Sequence, residues 1–187
     1  MSEMEDKIRL FVDSFGDSKK TAEKFFSCKD IITVTEYVGN GLAAMASLIP
    51  IYALNTSESK NLRGYYIYGV CVDKLHRGKG FFSAIMKKAE EQADKKNADF
   101  VCLIPADSNL EATYRKWGYD VEIMNTYGKE FFEKNILIDS PDFKEFAIPN
   151  KNAIDTHRMC GLMKVFNKKT FNPKDREFAF GDFMGDI

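Results

Sequence analysis

The sequence predicts an α/β (α+β) domain in which helices flank a mixed β-sheet, and three observations carry that reading. Residues 4 to 28 repeat their apolar side chains at helical spacing. Residues 31 to 54 are β-branched and apolar around a glycine turn, and residues 65 to 117 run strand, helix, strand, helix.

Each element follows from its residues. Ile8, Phe11, Val12 and Phe15, then Ala22, Phe25 and Phe26, give two short helices interrupted at Gly16-Asp17-Ser18. The runs IITVTEY and LAAMASLIPIYAL, joined by Val38-Gly39-Asn40-Gly41, read as a β-hairpin, with Pro50 expected at a bulge or strand end. A polar loop, NTSESKN, precedes the strand YYIYGVCV. Residues 80 to 96 form a helix that sets Phe82, Ile85, Met86, Ala89 and Ala93 on one face and Lys87, Lys88, Glu91, Lys95 and Lys96 on the other. DFVCLIP is a second strand whose continuous apolar character argues for a locally parallel βαβ unit, and SNLEATYRKW is the following helix. Beyond Asp120, VEIMNTYG, KNILID and MCGLMKVF suggest further strands, Pro141 to Asp155 reads as irregular, and an aromatic tail, FAFGDFMGDI, ends the sequence.

Composition excludes several classes. With 44% hydrophobic and 13% aromatic residues among 187, the chain can bury a core without disulfides or metals. Its 27 basic residues nearly balance 28 acidic ones, so no global field favours nucleic acid or an anionic membrane. Cys28, Cys71, Cys102 and Cys160 are far apart and form no zinc spacing, and His76 and His157 have no ligand-forming neighbours, so no metal is expected. The amino-terminal MSEMEDKIRL lacks an apolar signal core and the longest apolar run is too short to span a bilayer, so a cytoplasmic protein is expected.

The stretch VCVDKLHRGKGFFSAIMKKA concentrates the chemistry. The start of its helix falls at Arg77-Gly78-Lys79-Gly80, where unpaired amides and the positive end of the helix dipole meet glycines that let the backbone approach a ligand closely. Such a turn suits a phosphate or pyrophosphate. A Walker loop is absent, and a dinucleotide fingerprint fails because Ser83 occupies its third glycine position.

The block VCVDKLHRGKGFF resembles the acyl-CoA-binding motif of the GNAT superfamily of N-acetyltransferases: an apolar strand, a short turn, then Arg/Gln-x-x-Gly-x-Gly/Ala opening a helix. Arg77 and Gly80 occupy the first two fixed places, and Phe82 stands where a small residue is usual. YRKWGY is similar to the family's Tyr-x-x-x-Gly-Phe ending, and the resemblance covers roughly Lys7 to Val121. It implies a mostly antiparallel central sheet with a splayed parallel strand pair, and an enzyme that moves an acetyl group from acetyl-CoA to a primary amine by direct attack in a ternary complex. By the same resemblance Val70, Cys71 and Val72 bond the pantetheine arm, and Arg77, Gly78, Lys79, Gly80, Phe81 and Phe82 contact the pyrophosphate. Asp107 stands where many relatives carry an asparagine that touches the CoA arm, and Tyr114 matches the tyrosine that serves as general acid.

Alternatives stay open at this level. The spacing of Leu110, Tyr114 and Trp117 also suits a packed core tyrosine, and Ser108 to Glu111 fits a capping box without any catalytic role. No carboxylate lies on YYIYGVCV to act as general base; Tyr66 and Tyr68 are expected on the same strand face as Val70 and Val72, and Glu36 is a possible base through a water. Residues 1–125 read as the acyl-CoA-binding core, and 126–187 as an extension of the same compact domain that completes the sheet, covers the acceptor cleft or forms a homodimer contact. The acceptor, a small-molecule or peptide amine, is not identified. A non-catalytic CoA-binding regulatory module and an interaction protein using the extension are the competing classes.

Overall fold

A computed structural model describes residues 2–54, 61–124, 136–146, 159–166 and 178–179. Helix α1, Glu3–Phe15, begins with a reciprocal capping box between Ser2 and Glu5 and ends on Gly16 in the left-handed region, φ 77°. Ser18 caps α2, Lys19–Ser27, through the amide of Thr21. Strands β1, Ile32–Val38, and β2, Gly41–Ala53, form the expected antiparallel hairpin, with Gly39 at φ 58° in the turn.

Pro50 lies inside β2 rather than at a strand end. Its carbonyl accepts from the Asp139 amide, so position 50 faces the edge of β2 where pairing with β1 has ended at Leu48 and pairing with β6, Ile136–Ile138, begins at Ile51. The missing N–H therefore falls at a change of partner, where no ladder bond is lost.

Strand β3, Leu62–Val72, pairs with β2 along its length, with a one-residue bulge: Met45 faces Cys71 and Ser47 faces Tyr68. Gly69, at φ 62°, supplies the positive dihedral of this bulge. The bulge reverses the alternation expected for the strand. Tyr66, Tyr68 and Cys71 pack on the face of α1 and α2, whereas Val70 and Val72 pack on the opposite face.

A short 3₁₀ turn, Lys74–His76, leads to α3, Phe81–Lys95, which buries Ile85, Met86, Ala89 and Ala93. Ala44 and Ala46 of β2 share that cluster, and small side chains on both surfaces let helix and sheet approach closely. Strand β4, Phe100–Leu103, lies parallel to β3 with pairs Gly64–Phe100, Tyr65–Val101 and Tyr66–Cys102. Beyond Tyr66, β3 continues to Val72 with no recorded pairing to β4, so the two parallel strands part.

Helix α4, Ser108–Lys116, starts one residue earlier than the capping-box reading implies. Asp107, not Ser108, is the cap, and its Oδ1 accepts from the Leu110 amide at 2.8 Å. Strand β5 is Val121–Met124, and β7, Met159–Val165, lies between β4 and β5, antiparallel to both. The two-residue β8, Phe178–Ala179, pairs parallel with β5. The described strands form one mixed sheet in the order β1-β2-β3-β4-β7-β5-β8, with β6 extending the β1 edge of β2. Helix α5, Pro141–Phe146, replaces part of the stretch expected to be irregular. Proline at its first position is tolerated, Ser140 Oγ accepts from the Phe143 amide at 3.1 Å, and the buried Phe143 ring anchors it. Positions 55–60, 125–128, 134–135, 147–155 and 180–187 of the expected segments lie outside the described residues.

The sheet thus separates two packed layers. Helices α1 and α2, with Phe143 of α5, cover one face, and α3 and α4 cover the other. Among the described residues no helix is long and apolar enough to cross a membrane.

Candidate active site

The glycine turn hangs from a fixed point, Asp73. Its backbone N–H donates to Ala43 at 2.8 Å, its Oδ1 accepts from the Leu75 amide at 3.0 Å, and its Oδ2 accepts from Arg9 of α1 at 3.2 Å. The Leu75 amide, and after it Arg9, hold the Asp73 carboxyl below its ordinary value. Neither Arg9 nor Asp73 is marked by a motif; only the tertiary contact between α1 and the end of β3 reveals them.

From that anchor the chain turns into α3. Gly78 and Gly80 have φ values of 72° and 83°, and a Cβ built on either would meet no atom within 4 Å, so both border open space. Gly80 caps α3 without a side-chain acceptor, which leaves the first-turn amides with no side-chain cap. The two cations lie over nearby carbonyls: Arg77 Nε donates to Val72 O at the end of β3 at 3.2 Å and Lys79 Nζ to Leu75 O of the turn at 2.9 Å. Phe81 meets His76 edge-on at 5.4 Å. Phe82 places its ring against Tyr114 at 6.0 Å and Trp117 at 5.6 Å, so the bulky residue at the third motif place is engaged with α4.

Val70, Cys71 and Val72 all lie on the part of β3 that extends beyond its pairing with β4. Burial pushes the Cys71 thiol up to about 12, so it remains a thiol at neutral pH and is a poor nucleophile. Cys28, Cys71 and Cys102 are not in disulfides.

Tyr114 is 4% exposed and stands among Phe82, Trp117 and Tyr119. Burial first, and the charge of Asp107 second, push its phenol up to about 12. Asp107 is therefore close enough to Tyr114 to act on it electrostatically, while one carboxylate oxygen is engaged as the α4 cap. Behind Tyr114, the fully buried Tyr119 donates to Glu90 Oε1 at 2.9 Å, and Lys164 of β7 donates to Glu90 Oε2 at 2.6 Å. This bond set ties the end of α4 to α3 and β7, a link that sequence reading does not reveal.

Glu36 is less suited to the role suggested for it. Its carboxylate pairs with Lys88 of α3 at 3.0 Å, and cross-strand register places it two strands from Val72 through Ala44, about 10 Å away at ordinary strand spacing. Tyr66 and Tyr68 face the α1–α2 layer, opposite Val70 and Val72, for the bulge reason given above. His157 lies outside the described residues. Among the described residues no group of three or more His, Cys, Asp or Glu side chains could hold a metal.

Comparison with known proteins agrees with this geometry. The family model described as an acetyltransferase (GNAT) domain matches residues 1–121. A GNAT family N-acetyltransferase, YhbS, from Escherichia coli in complex with CoA is 10% identical, aligns over 95% of this chain and 82% of its own, and gives a TM-score of 0.61. A Bacillus subtilis acetyltransferase in complex with CoA is 17% identical, with coverage of 89% and 95% and a TM-score of 0.54. A probable N-acyltransferase from Enterococcus faecalis V583 is 21% identical and gives a TM-score of 0.53; the match covers 62% of this chain but only 29% of that longer one. At these identities the likeness is one of fold. No curated protein matches the sequence.

Proposed function

The chain belongs to the GNAT acetyltransferase family, and from that premise we propose that it transfers an acetyl group from acetyl-CoA to a primary amine by direct attack within a ternary complex. The observation that carries this reading is the conjunction of an uncapped helix start with two left-handed glycines open to solvent, at the end of a strand edge that has parted from its parallel neighbour.

In this reading the amides of the Gly78–Phe82 turn hold the pyrophosphate, with Arg77 and Lys79 turning from the carbonyls they now contact toward its oxygens. The backbone of Val70, Cys71 and Val72 offers the parted edge of β3 to the pantetheine amides. Phe81 and Phe82 fix the direction of the first helical turn by packing on His76 and on α4. Acetyl-CoA, when bound, supplies the activated acyl group. Tyr114 keeps a proton on its phenol oxygen at neutral pH and gives it to the departing sulfur, and Asp107, as the α4 cap, positions the helix that bears Tyr114. Residues 126–187 belong with 1–125 in one unit, a reading supported by the insertion of β7 between β4 and β5.

A second reading, a CoA-binding module without turnover, is favoured by one observation: β3 carries no carboxylate to accept the amine proton. Both readings require the turn. Calorimetric titration of acetyl-CoA is expected to show binding that Arg77→Ala weakens about tenfold, the loss of one charged hydrogen-bonding group. Thiol release with an amine panel then separates the two readings, since binding without release supports the module. A folded wild type that does not bind acetyl-CoA would refute both.

A further inference from the structure

Helix α4 ends in a Schellman motif, and that motif decides which residue lies beneath Tyr114. Gly118 takes the left-handed conformation, φ 88°, its amide donates to Arg115 O at 3.1 Å, and the Tyr119 amide reaches back to Tyr114 O, also at 3.1 Å. The ring of Tyr119 consequently packs on that of Tyr114, with centroids 5.6 Å apart. Among the described residues the Tyr114 hydroxyl makes no hydrogen bond, so the packing of its ring sets where its oxygen points.

Position 119 departs from the motif that α4 resembles, which ends in phenylalanine. Its extra oxygen is engaged. Tyr119 has no exposed surface, and its hydroxyl donates to Glu90 Oε1 of α3 at 2.9 Å. The second carboxylate oxygen, Oε2, accepts from Lys164 of β7 at 2.6 Å, and the same ammonium lies 5.6 Å from the centre of the Tyr119 ring. A Cβ on Gly118 would stand 3.8 Å from Lys164 Cε, so the lysine stem runs beside the turn of the motif itself. The side chains of Lys164 and Glu90 are 27% and 19% exposed, against 78% and 54% for the Lys87–Glu91 pair on the outer face of α3, so water and salt screen this pair far less. Lys164 lies beyond residues 1–121, the span that the family model matches.

We infer that Tyr119, Glu90 and Lys164 form a clamp that positions Tyr114 for proton transfer, and that Lys164 is the contribution of the carboxy-terminal segment to the active site. A general acid must stand within hydrogen-bond reach of the atom it protonates, and a misplacement of about 1 Å can cost about 100-fold in rate. Tyr114 and Tyr119 are joined by a backbone bond and by ring contact, so a movement of one is passed to the other. Apolar packing alone would let the pair slide. A directional bond to a carboxylate whose other oxygen is already occupied holds it in one orientation. The three residues act through Tyr114 and are positioning residues. This inference rests on the acetyltransferase reading for the proton that Tyr114 delivers, but not for the clamp itself.

The first test follows thiol release from acetyl-CoA with the amine that wild type acetylates fastest. Tyr119→Phe removes one oxygen and is expected to lower kcat about tenfold while KM for acetyl-CoA stays within about twofold. In a Tyr114→Phe background the same change is expected to move kcat by less than about twofold, because the acid it positions is gone. Lys164→Met is expected to repeat the loss in kcat, and Lys164→Arg to restore most of it. A role confined to packing would lower kcat equally in both backgrounds; that result, or a Tyr119→Phe kcat within about twofold of wild type, would overturn the inference. The second test needs no turnover. In Lys164→Met, with its fold checked by thermal melting, the Gly118 and Tyr119 amides are expected to exchange hydrogen about tenfold faster than in wild type, while the amides from Ile85 to Ala89 in the middle of α3 keep their rates. If wild type transfers no acetyl group, the acetyltransferase reading fails and exchange alone decides: acceleration upholds the clamp, and unchanged rates at Gly118 and Tyr119 overturn it.

Discussion

Tyr114→Phe is expected to lower kcat by about 100-fold, the lower range for loss of a positioned general acid, while acetyl-CoA affinity stays within about twofold. The substitution removes one oxygen and leaves the ring contacts with Phe82, Trp117 and Tyr119 in place. The split between kcat and binding is what a merely packed tyrosine would not produce. The pH profile supplies a second readout. A phenol pushed up to about 12 by burial and by Asp107 is protonated at neutral pH and loses its proton only as pH rises toward that value. This group therefore contributes no alkaline fall in kcat below about pH 11. An alkaline limb near the unperturbed tyrosine value of about 10 that disappears in Tyr114→Phe would contradict this environment.

Gly64→Ala is expected to cost about 3 kcal/mol of stability, at the upper end for overpacking a closed core. The new Cβ would lie 2.4, 2.5 and 2.7 Å from three ring carbons of Phe100, a residue with no exposed surface. Gly64 and Phe100 are also paired across the only part of the β3–β4 ladder that holds the parallel strands together. Relief by rotation of the ring is blocked by the surrounding core, so the backbone must move. For a domain of this size the melting temperature should fall by about 6–12 °C. Phe100→Leu introduced alongside it should recover part of the loss, because the clash is with the ring. A Gly64→Ala melt within about 2 °C of wild type would show that the strands there are looser than described.

How much of this was legible depends on whether a feature is local. The turn and α3 were readable because glycines, cations and a 3.6-residue apolar period occur together within twenty residues, and the α4 tyrosine lies at a fixed spacing from its glycine. The misread face of β3 has a single cause, Gly69: strict alternation assumes no bulge, yet an interior glycine in a strand is itself a bulge signal. The cap of α4 was off by one because Asp107 and Ser108 are adjacent and both are good caps; only the Leu110 amide decides between them. Helix α5 escaped notice because six residues around one buried phenylalanine carry almost no periodic signal.

What sequence could not reveal is non-local. The placement of β7 between β4 and β5 joins segments with long intervening chain, and no residue type announces it. Arg9 with Asp73, and Glu90 with Tyr119 and Lys164, are ordinary charged and aromatic residues until the fold brings them together.

The central claim, that the glycine turn holds the pyrophosphate of acetyl-CoA, is tested most directly by residue-resolved amide hydrogen exchange with and without the ligand. Protection is predicted to concentrate on Gly78 through Ser83, the turn and the uncapped start of α3, with a second protected stretch along Val70 to Val72. Binding that protects neither stretch, or protects only residues elsewhere, would contradict it.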